Sequence, residues 1–123
     1  MDFYEIVKQI IEGDPRYKSD AYEFVMQALW FAQKKFKIEG HLTAVQLLAG
    51  IRELGLNQYG PMARAVFEHW GITKTEDFGQ IVFNMVNLGI MSKTEKDSPE
   101  DFKNAYDFKE AFDIFKTLKR QES

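Results

Sequence analysis

The stretch Leu42-Thr43-Ala44-Val45-Gln46-Leu47 carries the strongest local signal in this chain. Thr43 and Gln46 stand in T-x-x-Q order, so the hydroxyl and the amide side chains reciprocally satisfy backbone donors that a helix start leaves open. Leu42 and Leu47 flank them at the spacing of a hydrophobic staple. Behind this start, Ala44, Leu47, Leu48, Ile51 and Leu54 recur with helical period and predict a helix over residues 43–56. Asn57-Gln58-Tyr59-Gly60 then turns the chain into Pro61, a residue suited to a first helical position. Ala63, Val66, Phe67 and Trp70 continue at i, i+3, i+4 and i+7 until Gly71, giving a helix over residues 61–70. Thr73-Lys74-Thr75 leads into Glu76-Asp77, acids in a first turn. Phe78, Ile81, Val82, Met85 and Leu88 supply the apolar face of a helix over residues 75–89, which Gly89 ends.

Two further helices are expected upstream. Phe3, Ile6, Val7 and Ile10 follow Asp2, a potential N-cap, and stop at Gly13. Asp14-Pro15-Arg16-Tyr17-Lys18 is a turn, and Ser19-Asp20 is expected to cap a longer helix running to Ile38. Its broad apolar face leaves Glu23, Gln27 and Lys34 as a narrow polar strip, with Trp30 among them. Lys34, Lys35 and Lys37 sit in its last turn, where cations complement the helix dipole. Downstream, Ile90–Glu95 and Ala105–Phe108 are separated by a polar stretch containing Ser98-Pro99, and are expected to form a short hairpin. Asp107 then caps a final helix with Phe108, Ala111, Phe112, Phe115 and Leu118 on its apolar face.

The expected architecture is therefore mainly α, in one domain over residues 1–123. An N-terminal helical hairpin (1–42) precedes a winged-helix-like unit (43–108) of three helices and a β-hairpin over 90–108, and a C-terminal helix (109–123) follows. If the winged-helix analogy holds, residues 75–89 stand where a DNA-reading helix would. Asp77, Gln80, Asn84 and Asn87 lie opposite its apolar face, and Gln and Asn side chains can read adenine edges. Yet this segment has no Lys or Arg and begins with two carboxylates, whereas duplex affinity comes largely from phosphate neutralisation.

Composition narrows the field. The chain has 123 residues, 16 Lys+Arg against 19 Asp+Glu, 2 His and no Cys. Without cysteine there is no disulfide, thiolate metal site or cysteine nucleophile. The net charge of −3 is spread evenly, −1 in each of residues 1–42, 43–89 and 90–123, so no segment is a basic module. The amino-terminal residues lack the basic start and apolar run of a secretory leader, and no segment has the roughly 20 apolar residues of a membrane span. A cytoplasmic protein without membrane association is expected.

Catalytic constellations are equally sparse. His41 lies in a loop and His69 at a helix end, neither with a second ligand type at i+3 or i+4. The phosphate-binding glycine loops and the G-x-S-x-G elbow are absent. Glu76 with Asp77, and Asp97 with Glu100 and Asp101, lack the ligand order of a calcium loop. No metal, no cofactor and no enzymatic activity are expected.

Arg16-Tyr17, Ala21-Tyr22, Gly50-Ile51-Arg52, Gly60-Pro61-Met62-Ala63, Trp70-Gly71-Ile72, Asp77-Phe78-Gly79, Ile81-Val82-Phe83-Asn84, Lys93-Thr94-Glu95 and Tyr106-Asp107-Phe108 together form a pattern across nearly the whole chain. It resembles a small family of uncharacterised bacterial conserved proteins of the planctomycete and verrucomicrobial type. The resemblance implies a free-standing single-domain protein and transfers no catalytic residue. The expected role is protein interaction or self-association, as a homo-oligomer or with a protein partner, with Trp30, Asp77, Gln80, Asn84 and Asn87 as candidate contacts. The alternatives are a nucleic-acid-associated regulator using Lys93, Lys96 and Lys103, and a small ligand-binding protein with a pocket around His41, His69 or Arg52.

Overall fold

The computed structural model describes residues 2–91 and 99–112, and these are mainly helical. The order is α1 (Phe3–Gly13), α2 (Ser19–Phe36), α3 (Ala44–Tyr59), a 3-10 turn (Gly60–Met62), α4 (Ala63–His69), α5 (Thr75–Asn87), a second 3-10 turn (Pro99–Phe102) and α6 (Phe108–Ala111). The expected local devices hold α1 and α3. Asp2 accepts a hydrogen bond from the Glu5 backbone N–H at the start of α1. Thr43 and Gln46 form the full reciprocal capping box of α3, and Leu42 and Leu47 are both buried.

The start of α2 differs from expectation. Ser19 is already helical, and Lys18 is the N-cap without a side-chain cap bond. The reason is tertiary: the Lys18 N–H donates to the Trp70 carbonyl oxygen at 3.1 Å, which fixes Lys18 as the extended residue. At the other end Lys37 adopts the left-handed conformation (φ 55°), so α2 stops at Phe36 and not at Ile38.

Buried side chains from all six helices form one apolar cluster. A close helix crossing lies between α2 and α3, where Ala28 and Ala32 face Gly50. A Cβ on Gly50 would lie 2.6 Å from the Ala32 Cβ, so the crossing requires the missing side chain. At the other end, Phe67 of α4 is the centre of an aromatic group. Its ring meets Phe24, Tyr59, Trp70, Phe78, Phe108 and Phe112 at centroid separations of 5.1–6.4 Å, the range of favourable tilted and edge contacts.

The expected hairpin is corrected. No strand occurs among the described residues; residues 92–95 of its first strand lie outside them, and the second strand is replaced by a bend at Ala105 and Tyr106 that leads through Asp107 into α6. Phe102 drops onto α5, where a Cβ on Gly79 would approach its ring to 2.8 Å. The Asn104 and Ala105 N–H groups then donate to the Glu76 carboxylate and the Thr75 hydroxyl, so the donors that a ladder needs are engaged by the start of α5. Asp107 caps α6 through the Glu110 N–H, as its sequence position implied. Phe115 and Leu118 lie outside the described residues, as do Lys93, Lys96 and Asp97. No helix among the described residues is long and apolar enough to cross a membrane.

Candidate functional site

Two surfaces carry the candidate residues. The first is the polar side of α5, which faces the α1–α2 connection. Asp77 Oδ1 accepts from the Tyr17 hydroxyl at 2.6 Å, while Oδ2 accepts from the backbone N–H groups of Thr73 and Lys74 at 2.9 and 3.2 Å. One carboxylate thus ties the N-terminus of its own helix to a residue 60 positions away. One and two turns on, Gln80 donates to Asn84 Oδ1 at 3.0 Å, and Asn84 Nδ2 donates both to Asp14 Oδ2 and to the Tyr22 hydroxyl at 3.1 Å. Arg16 closes the group with a bidentate contact to Asp14 at 2.6 and 2.7 Å. The backbone of this connection is held just as closely: Gly71, at φ +94°, is so near that a Cβ would come within 2.2 Å of the Arg16 carbonyl oxygen.

The electrostatics of this group fix protonation states. The hydrogen bond from Arg16 is the main cause holding the Asp14 carboxyl well below the usual carboxylate range, against a smaller opposing effect of burial. Burial, followed by the bond to Asp77, pushes the Tyr17 phenol above its ordinary value, and burial does the same for Tyr22. The raised phenols of Tyr17 and Tyr22 stay neutral donors, and the lowered Asp14 carboxyl stays an ionised acceptor. That arrangement ties α5 to the α1–α2 connection.

The sequence put Asp77, Gln80 and Asn84 on an open face, but here they are half-buried and bonded within the chain, and only Asn87 of that set is exposed. Their partners Asp14, Arg16, Tyr17 and Tyr22 were not recognised as a group from the sequence. The available signal was the Asp14-Pro15-Arg16 turn, which brings opposite charges together two residues apart.

The second surface is the outer strip of α2. Asp20, Glu23, Gln27, Trp30 and Lys34 are all exposed, as is Lys37 just past the helix end. Trp30 is 60% exposed, in contrast to Trp70 at 7%. Tyr4 of α1, also exposed, donates a long hydrogen bond of 3.5 Å to Glu23 and so extends the strip sideways.

A third feature is a cleft of about 280 Å³ between α2, α3 and α5, walled by Leu29, Leu47, Val82, Met91 and Phe102, with Gln33 and His41 among its polar lining residues. Gln33 is committed to the Gly40 carbonyl oxygen. Arg52 is elsewhere, donating to the Ala111 carbonyl oxygen that ends α6, and His69 is an exposed last residue of α4. The three residues considered for a ligand pocket therefore do not line one cavity. Among the described residues no group of His, Asp and Glu is arranged to hold a metal ion.

The chain matches no protein-family model, no curated protein and no solved structure. The functional reading therefore rests on the geometry of these surfaces.

Proposed function

We propose that this protein is a non-enzymatic interaction module that binds a protein surface, another protein or a second copy of itself, through the outer strip of α2 around Trp30. The observation that carries this reading is the exposure of Trp30 at 60% in the middle of a well-formed helix whose other aromatic residues are buried or half-buried. Single exposed apolar residues are ordinary, but tryptophan is the side chain most enriched at energetic centres of interfaces. Here Tyr4 adds a second exposed ring beside a strip of mixed charge. The polar group on α5 supports the same reading from the other side, because its side chains are spent on bonds within the chain.

The winged-helix-like order of α3, α4 and α5 remains part of this proposal as a framework. The nucleic-acid alternative has less support. Asp77, Gln80 and Asn84 already spend their hydrogen-bonding groups on the α1–α2 connection, and of its lysines only Lys103 lies among the described residues, exposed beside Asn104. The family resemblance is proposed on the sequence pattern alone.

The test is to purify tagged wild-type and Trp30→Ala protein from cells that also produce an untagged copy, and to compare the co-purifying proteins quantitatively. The reading expects the untagged copy or a defined partner to be lost with Trp30→Ala. An identical set from both proteins rejects it.

A further inference from the structure

We infer that the outer strip of α2 is the contact surface of a two-fold, antiparallel homodimer centred on Trp30; this rests on the interaction reading above and names the partner. The residues of the strip fall in a charge order that is complementary to its own reverse. Asp20 and Glu23 lie toward the start of α2, Lys34 and Lys37 lie at its end, and Trp30 stands midway between Glu23 and Lys37, all of them exposed. When two copies of the strip run antiparallel about an axis through Trp30, position 30+n meets position 30−n of the partner. Glu23 then meets Lys37, and Gln27 lies beside Lys34 of the partner. By symmetry each such contact occurs twice, as an isologous interface demands. The same pairing sets the two helix dipoles antiparallel, so that opposite ends lie side by side.

Acids at the start of α2 and bases at its end also suit the dipole of a lone helix. That explanation leaves Trp30 without a role. An exposed indole at the symmetric midpoint of the charge pattern is what a self-complementary contact requires, since a residue on the axis meets its own copy. A parallel pairing would set Glu23 against Glu23 and Lys34 against Lys34, so the charges also select the orientation.

The strip is modest in size. Eighteen residues of α2 give a length of about 27 Å at 1.5 Å per residue, and with Tyr4 the covered face stays below the roughly 800 Å² per partner of a standard interface. Association is accordingly weak, with half-dimerisation on the order of 100 µM, and it is sensitive to salt.

Sedimentation equilibrium of the full chain tests this. The wild type is expected to move from monomer toward dimer as concentration rises through that range, and Trp30→Ala to weaken dimerisation at least tenfold while keeping its helical circular dichroism. Glu23→Lys alone, and Lys34→Glu with Lys37→Glu, each make the strip nearly one sign and are expected to be monomeric. An equimolar mixture of these two variants is expected to recover dimer, now as a heterodimer. A wild type that stays monomeric to about 1 mM overturns the inference, and if Trp30→Ala still loses a co-purifying protein in that case, the broader interaction reading survives without it. A dimer indifferent to Trp30→Ala, or variants whose mixture stays monomeric, overturns the inference as well.

Discussion

Asn84→Ala separates the two roles open to the polar face of α5. If Asn84 were an open contact residue, as its position opposite the apolar stripe implies, its removal would change stability by less than about 0.5 kcal/mol. In the structure it accepts from Gln80 and donates to both Asp14 and the Tyr22 hydroxyl. The bond to the ionised Asp14 is worth roughly 1.5–3 kcal/mol and a neutral bond about 0.5–1.5 kcal/mol. Tyr22 is fully buried, so its hydroxyl would also lose a partner. Because Asp14 keeps Arg16 and water can enter at the partly exposed edge, the net cost is expected at about 2–3 kcal/mol, not the full sum. Urea unfolding followed by circular dichroism measures it: the midpoint should fall with little change in slope. Asn87→Ala, on the exposed end of the same helix, serves as the control and should be nearly neutral. An Asn84→Ala cost below about 0.5 kcal/mol would refute the assignment of this face to internal support.

Stability should also depend on pH through Asp14. Its folded-state carboxyl is depressed, chiefly by Arg16, so the stabilisation is fully present above the unfolded value near pH 4 and is lost as pH falls below it. Thermal unfolding of wild type and Arg16→Ala between pH 2 and 7 should show a gap that narrows under acid; a constant gap contradicts the pairing. Gly50→Ala gains helix propensity of about 1 kcal/mol but forces a Cβ against Ala32, and overpacking of that kind costs about 1–3 kcal/mol. Net destabilisation by denaturant titration is expected, and a more stable variant would show that the crossing has slack. Phe67→Ala, at the centre of the aromatic group, should lower stability by about 3–5 kcal/mol, and a loss under 1 kcal/mol in the same titration would mean that the group is not a close-packed core.

Much of the helical framework was legible because its signals are local. The Thr43–Gln46 capping box, the stops near Gly13 and Gly71 and the cap at Asp107 depend only on residues a few positions apart, and each occurs where the sequence implies. The errors arise where distant groups compete for the same backbone. Residues 105–108 alternate weakly enough to suggest a strand, but Glu76 and Thr75 take their neighbouring donors. Ser19 is a good cap in isolation, yet the Trp70 carbonyl oxygen selects Lys18. The polar face of α5 was correctly identified as polar; periodicity separates it from the apolar face without revealing that Asp14, Tyr17 and Tyr22 cover it. Trp30 could be read as set apart from the core because Glu23, Gln27 and Lys34 surround it on the helix, a relation that is entirely local.

The most direct test of the interaction surface is the dilution dependence of amide and indole signals in nitrogen-15 NMR spectra. The chain has two tryptophans, one exposed at the proposed contact and one in the core, which supply a probe and a reference in a single spectrum. On dilution from about 1 mM to 20 µM, a range that brackets the half-dimerisation expected for so small an interface, the Trp30 indole N–H and the amides of Glu23, Gln27 and Lys34 should shift while the Trp70 indole and the amides of Asp77, Gln80 and Asn84 stay in place. Shifts centred on the α5 residues, or none at any concentration, would contradict the self-association assigned to the α2 strip.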